Sequence, residues 1–405
     1  MAQFLSARVL SELSALVMSV AVGWQLYAIT HSPLVLGLTG LVQFIPILIL
    51  TLPAGELCDQ VGPKRMVIAS MLLDGLCAAI FLWLTLAGVV VAWPYFASLA
   101  LFGISSAALA PASQSMLPFL VSREALPRAI ALNSSLMSVA VIAGPALGGI
   151  AYAVSPRLPY IISAFAPLAA ACMAATLRMR YVEPAEAATL RGRIARVREG
   201  LRFVQQRPIL LGAVSLDLVA VLFGGVTALL PIYASDILKV GPVGLGILRS
   251  ASAAGAILMA LQLARQGLKQ RVGSWLFATV AMFGASIIVF GISHNFVLSI
   301  IALAVAGASD EISMYIRAAL TQLATPDPMR GRVNAVYMLF VHASNEFGMF
   351  ESGVAAALLG TIPSVVFGGV GTIAVAALWM KLFPALRKLD SIDTVQEFVP
   401  PPTER

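Results

Sequence analysis

The sequence predicts an all-α membrane protein with twelve transmembrane helices in two six-helix bundles and both termini cytoplasmic. Three observations carry that prediction. Of 405 residues, 60% are hydrophobic and 11% charged, against about 45–50% and about 25% in a soluble domain; the mean hydropathy of +0.93 leaves no water-soluble half. Apolar windows of about 20 residues, the length that crosses a bilayer, recur along the whole chain. Lys and Arg, finally, cluster in alternate connections between those windows.

The windows are bounded by charges or Pro/Gly turns. The first, 4–28, carries Arg8 and Glu12 and lacks a small-residue cleavage site, so it reads as a span and not a signal peptide. Span 34–56 opens after Ser32-Pro33, 66–88 follows Lys64-Arg65, and 94–117 opens at Pro94. Spans 128–153 and 159–178 complete an N-terminal bundle, residues 1–178. The one long connection, 179–208, closes a run from Arg178 to Arg207 with eight arginines and with Ile194, Val197, Leu201 and Val204 at helical spacing. It predicts an amphipathic cytoplasmic linker helix. The second bundle, 209–385, holds spans 209–234, 243–264, 273–293, 296–320, 332–360 and 362–383, and a cytoplasmic tail covers 386–405.

Positive residues are retained in cytoplasmic loops. With the linker and termini inside, the inner segments hold Lys64, Arg65, Arg123, Arg128, the linker arginines, Arg265, Lys269, Arg271, Arg330, Arg332, Lys381, Arg387, Lys388 and Arg405, and the outer loops only Arg157 and Lys239. The net charge of +7 is therefore a topology signal spread over many loops, and not a nucleic-acid surface. Ser32-Pro33 with Leu36-Gly37 recurs as Gly241-Pro242 with Leu245-Gly246, and Glu12 and Asp217 each lie about eight residues into their spans. Such six-helix repeats with a site between them mark a rocking secondary transporter. Cys58, Cys77 and Cys172 have no metal or redox spacing and read as inert buried thiols.

Two motifs carry mechanism. Between the second and third spans stands Gly55-Glu56-Leu57-Cys58-Asp59-Gln60-Val61-Gly62-Pro63-Lys64-Arg65. Gly55 and Gly62 permit a tight turn, Asp59 can cap or pair with a neighbouring helix end, and Lys64 and Arg65 anchor at headgroups. The counterpart 264–273 keeps Arg265, Lys269 and Arg271 without the Asp. The fifth span contains Gly144-Pro145-Ala146-Leu147-Gly148-Gly149, where Pro145 kinks the helix and the small residues admit another helix closely.

The first motif resembles the G-x-L-x-D-x-x-G-x-K-R loop of the major facilitator superfamily, with Gln60 and Pro63 in place of basic residues. The second resembles the end of the antiporter motif of its drug and proton exchangers, with Ala131 and Ala140 where that motif has glycines. Ser6-Ala7-Arg8 and the stretch 320–334, LTQLATPDPMRGRVN, resemble the enterobactin-exporter-like branch, grouped with the third family of drug:proton antiporters, over nearly the whole chain. The resemblance implies the major facilitator fold, a central cavity lined by spans one, four, seven and ten, and export of an amphipathic siderophore or drug-like compound in exchange for protons across a bacterial inner membrane. A lipid or lysophospholipid flippase and a divalent-metal exporter are the alternatives on the same scaffold. The expected partners are a small-molecule substrate, protons and the lipid bilayer, for a chain acting as a monomer without nucleic acid or cofactor.

Ionisable residues at bilayer depth are costly and mark function by default. Arg8 and Glu12 share a helical face; they can form an ion pair, or Glu12 can trade a proton against substrate while Arg8 holds a polar or anionic group. Asp217 has no basic neighbour at helical spacing, and such a lone carboxylate suits reversible protonation. On the tenth span Arg317 can reach Asp310 across two turns, which favours Asp310 over Glu311 as the cavity-facing acid. His342, Asn345 and Glu346 share a face of the eleventh span, where a histidine charge change can be tuned by the acid or a neutral histidine satisfied by it. Glu12, Asp217, Asp310 and Glu346 are thus the proton-coupling candidates, and Arg8, Gln114, Tyr315, Arg317, His342 and Asn345 the substrate-binding ones. Asp74, Arg249 and Glu351 read as structural. GxxxxGK[ST], HExxH and GxSxG are absent, which removes the commonest ATPase, metalloprotease and hydrolase signatures.

Overall fold

A computed structural model describes residues 1–122, 124–177, 190–268 and 270–391. Arg123, Arg178, Arg180, Lys269, Arg405, most of the tail and the first part of the linker lie outside the described residues. Within them the chain is all helix and turn: α1 (Ala2–Thr30), α2 (Pro33–Val61), α3 (Pro63–Leu86), α4 (Trp93–Leu120), α5 (Leu126–Val154), α6 (Leu158–Ala175), α7 (Leu190–Gln205), α8 (Pro208–Phe223), α9 (Leu230–Ile232), α10 (Gly241–Gln266), α11 (Val272–Ile292), α12 (Phe296–Leu323), α13 (Arg330–Leu359), α14 (Thr361–Leu382) and α15 (Pro384–Arg387). Proline stands in the first turn of α2, α3, α4, α5, α6 and α8, where its missing N–H costs nothing. Gly62 joins α2 to α3 and Gly360 joins α13 to α14, both at positive φ.

Among the described residues, eleven helical segments are long and apolar enough to cross a membrane, with α8, α9 and the turn to Ile237 forming one of them. The thirty-residue α13 is long enough but not apolar enough to join that set, with Asn334, His342, Ser344, Asn345 and Glu346 in its middle. Large apolar side chains such as Ile49, Trp83, Phe165, Leu258 and Leu358 stand exposed on these helices, as a surface solvated by lipid requires. Cys58 and Cys77 are buried, whereas Cys172 is exposed on α6, against the expectation of three buried thiols.

The chain divides into two compact units: Met1–Arg193 with Ala228–Ser250, and Ile194–Thr227 with Ala251–Arg405. The division falls inside α7 and gives α9 and the start of α10 to the first unit. Two contacts explain the latter: the Tyr27 hydroxyl donates to Asp236, and Ser250 Oγ donates to Ile142 O at 2.6 Å.

In the first unit Phe4, Leu5, Met66, Val67, Met71 and Met116 form a core shared by α1, α3 and α4. A buried polar knot fixes another level of the same unit. Gln25 donates to Tyr95 at 3.0 Å and to Thr85 at 3.1 Å, and its carbonyl oxygen accepts from Tyr160. Hydrogen bonds and close packing replace the hydrophobic effect as the cohesion between helices in lipid.

In the second unit Leu210, Leu216, Phe277, Ile316, Leu320, Val333 and Val336 make the core. The linker helix α7 lays Val204, Val197 and Leu201 on that core. Ile194 departs from the expected apolar face and is exposed.

Candidate functional site

The second unit brings three of the predicted charges together. Arg317 of α12 pairs with Asp217 of α8, and its other terminal nitrogen lies 3.7 Å from Asp310, two turns back on its own helix. Arg317 and Asp217 are 3% and 4% exposed, so the pair sits in the unit's interior, while Asp310 is half-exposed. The solitary Asp217 read from helical spacing is thereby corrected: its cation comes from a residue one hundred positions away. Tyr337 of α13 turns its buried hydroxyl toward the same guanidinium. Arg317 Nε and Ser313 Oγ are buried without a hydrogen-bond partner. Both line a narrow pocket with Asp310, Ser309, Val280 and Phe283, with room for a water-sized guest. This arrangement can hold a proton or a water between two carboxylates and a fixed cation. Tyr315, between the pocket-lining Ser313 and Arg317 in sequence, packs partly buried against the apolar core instead.

In the first unit Arg8 and Glu12 do not form an ion pair, although their spacing allows one. Arg8 instead donates to Asn133 of α5 at 3.3 Å. Glu12 has no cation within 4 Å among the described residues. Asp74 is buried on α3 with Oδ1 unpartnered. Gln114 is exposed on α4.

On α13 the expected histidine–acid pair is not formed. His342 is exposed, Asn345 donates back to Val341 O at 2.8 Å, and Glu346 keeps Oε2 buried and unpartnered. An amide on a helix satisfies itself on the preceding turn more readily than it reaches a neighbour. Among the described residues no three His, Cys, Asp or Glu side chains converge as a metal site would need.

The conformational motifs acquire partners that the sequence did not show. Asp59 pairs with Arg193 of α7. A methyl group on Gly55 would come 2.6 Å from that guanidinium, so the glycine is the seat on which Arg193 lies. Lys64 does not reach for headgroups: Nζ donates to Ala175 O at 2.7 Å and Leu177 O at 2.8 Å, closing the end of α6. Arg65 is exposed. The acid missing from the second-half loop is supplied by Asp390, whose carboxylate accepts from Arg271 N at 3.1 Å at the start of α11.

Along α5 the small residues face two helices. A methyl at Gly144 would lie 2.6 Å from Leu16 Cβ and one at Gly148 2.9 Å from Val17 O, both on α1. Gly149 faces the Pro242 carbonyl, and Gly246 the Pro145 carbonyl, at the start of α10. Pro145, with no N–H to offer α5, marks the point where α10 comes against it.

The sequence model of the transmembrane secretion effector family matches residues 2–404. The chain belongs to that family, within the major facilitator superfamily. It is 27% identical over 406 residues to the enterobactin exporter EntS of Citrobacter koseri, covering 97% of this chain and 94% of that one. It is 23% identical to macrolide efflux protein A of Streptococcus pyogenes, over 95% and 96% of the two chains. In fold it is similar to a variant of the nucleoside transporter NupG, with a TM-score of 0.74 at 12% identity over 94% and 100% of the two chains. A bacterial homologue of the iron transporter ferroportin gives 0.70 at 14% identity over 96% and 98%. The chain is a multi-span membrane transporter whose relatives include exporters, and not an enzyme.

Proposed function

We propose that this secretion-effector family member is a proton-coupled secondary exporter of a small amphipathic compound, working by alternating access as a monomer in a bacterial inner membrane. In this reading α13 completes the twelve spans despite its charges, since polar residues at bilayer depth belong to transport pathways. Both termini and α7 are cytoplasmic, following the distribution of Lys and Arg.

The observation that carries the proposal is the buried Arg317–Asp217 pair with the half-exposed Asp310 3.7 Å from the same guanidinium. Two carboxylates competing for one cation give states that differ by a single proton. When Asp217 or Asp310 is protonated, the guanidinium has one acid to satisfy and the other is released, which changes how α8 and α12 are held. A transported proton needs such a change in contacts, because a ligand shifts a conformational equilibrium only by binding its states differently. Glu12 and Glu346, each lacking a cation within 4 Å among the described residues, are the further carriers in this reading.

Proteoliposomes with an imposed pH gradient test it, with enterobactin and a macrolide as trial cargoes and an internal dye reporting protons. Gradient-driven uptake into inverted vesicles is expected, with proton release in step and with coupling reduced in Asp217→Asn, Asp310→Asn and Glu12→Gln. Cargo movement indifferent to the gradient, or coupling unchanged in all three variants, would remove the proton from the mechanism.

A further inference from the structure

Arg249 lies in the first unit, eight residues or about 12 Å into α10 from Gly241. Its guanidinium donates to Ser19 of α1 at 2.9 Å, and Nε is buried with no hydrogen-bond partner. Among the described residues no carboxylate lies within 4 Å of it. Asp236, the acid of the same segment, is engaged by Tyr27, two turns along α1 from Ser19. Gly23 is the floor of the site: a methyl there would sit 3.6 Å from the Arg249 terminal nitrogen.

A cation at this depth costs several kcal/mol without a counter-charge. The other embedded arginines have partners, Arg317 with two acids and Arg8 with an amide. Arg249 has one serine hydroxyl, and Ser19 is exposed, so the pair opens onto the surface of its unit. The face it opens on is also distinctive. Arg8, Glu12, Ser19 and Gly23 fall within about 60° around α1, forming one polar stripe along an apolar helix.

We infer that Arg249 and Ser19 form a recognition point for an oxyanion, and that the transported solute carries a carboxylate or comparably charged oxygen group. The inference deepens the export reading and rests on it for the solute's being transported, while the site itself is defined by binding alone. The anion completes the guanidinium, Ser19 adds a hydroxyl donor, and Glu12, seven residues back on the stripe, stands beyond the contact distance of that anion.

Equilibrium binding to the purified full chain in lipid nanodiscs, without any gradient, tests the site with 1-naphthoate and its neutral isostere 1-naphthamide. The expected result is tighter binding of naphthoate than naphthamide by tenfold or more, lost in Arg249→Gln and weakened in Ser19→Ala. Stability separates this role from a structural one: without ligand, Arg249→Leu is expected to melt at or above the wild-type temperature. Equal affinity for the two probes, no naphthoate binding, binding unchanged in Arg249→Gln, or a lowered melting temperature in Arg249→Leu each overturns the inference. Loss of proton coupling in vesicles with naphthoate binding intact would overturn the export reading and leave this site standing.

Discussion

Replacing Asp217 and Arg317 singly and together puts a number on the cluster in the second unit. Both side chains are almost wholly buried, so removing one partner leaves a charge that neither water nor lipid can solvate. Losing one member of such a pair costs about 3–5 kcal/mol. The two single changes are not equivalent, because Arg317 also lies 3.7 Å from Asp310. Asp217→Leu leaves the guanidinium one carboxylate, Asp310, which puts its cost at the lower end, about 3 kcal/mol. Arg317→Met leaves Asp217 enclosed with no cation, and its cost is expected at the upper end, about 5 kcal/mol. The combined Asp217→Leu, Arg317→Met chain replaces the pair by packed apolar groups and is expected within about 1 kcal/mol of wild type. Unfolding in mixed micelles of increasing SDS content, followed by Trp fluorescence, gives the free energies; Trp379 reports locally, since its Nε1 donates to Ser215 of α8 at 3.0 Å. The reasoning fails if the single changes add up in the double, for an interaction energy below about 0.5 kcal/mol denotes independent sites.

Three further outcomes follow from the same contacts. Gly148→Val drives a branched side chain into the α1 backbone at Val17 and is expected to cost about 3 kcal/mol, read as a fall in folded yield and melting temperature; α5 cannot retreat from the clash, because Gly149 already lies against the Pro242 carbonyl on its other face. Arg193→Ala removes a partner of Asp59 that is itself partly exposed; the expected loss is under about 1 kcal/mol and shrinks in high salt, so a large, salt-independent loss would mean that the contact does more than pair charges. Lys64→Met frees the carbonyls of Ala175 and Leu177, and a loss of about 1–2 kcal/mol together with faster amide exchange at the end of α6 is expected, against no change if Lys64 were a headgroup anchor.

The helices were legible because their boundaries are chemical: proline opens them, glycine at positive φ separates them, and apolar windows set their length. Partners across helices were not legible in the same way. Helical spacing places Arg317 near Asp310, but it is blind to Asp217, which meets Arg317 only because α8 packs beside α12. The same blindness left Arg8 between two readings: its i+4 acid was visible, but its actual acceptor, Asn133, stands on another helix. Asn133 carried a signal that went unread: it is a polar residue inside an apolar span. Arg193 and Asp390 were hidden for a different reason: each acts on a loop far from it in sequence, and a single charge in a basic linker or a tail gives no pattern to read.

Arg317 of the second unit and Arg249 of the first are held in opposite ways, and that contrast bears on where the solute acts. In the second unit the cation and its acids largely cancel, so the charges can be retained for the stability of the resting bundle. In the first unit Glu12 and Arg249 lack a partner of opposite charge within 4 Å among the described residues, and Asp74 is buried with an oxygen unmatched. Each of these costs stability that its own contacts, such as the Ser19 hydroxyl at Arg249, offset only in part. A helix bundle under selection for folding alone would exchange them for leucine; in the proposed reading their compensation arrives from outside the chain, as a proton on the acids and an anion on the arginine. The contrast makes a signed prediction: neutralising Arg317 lowers the melting temperature, whereas neutralising Arg249 does not. A single thermal series over both variants decides it, and a fall of equal size in the two would show that Arg249 is satisfied within the protein after all.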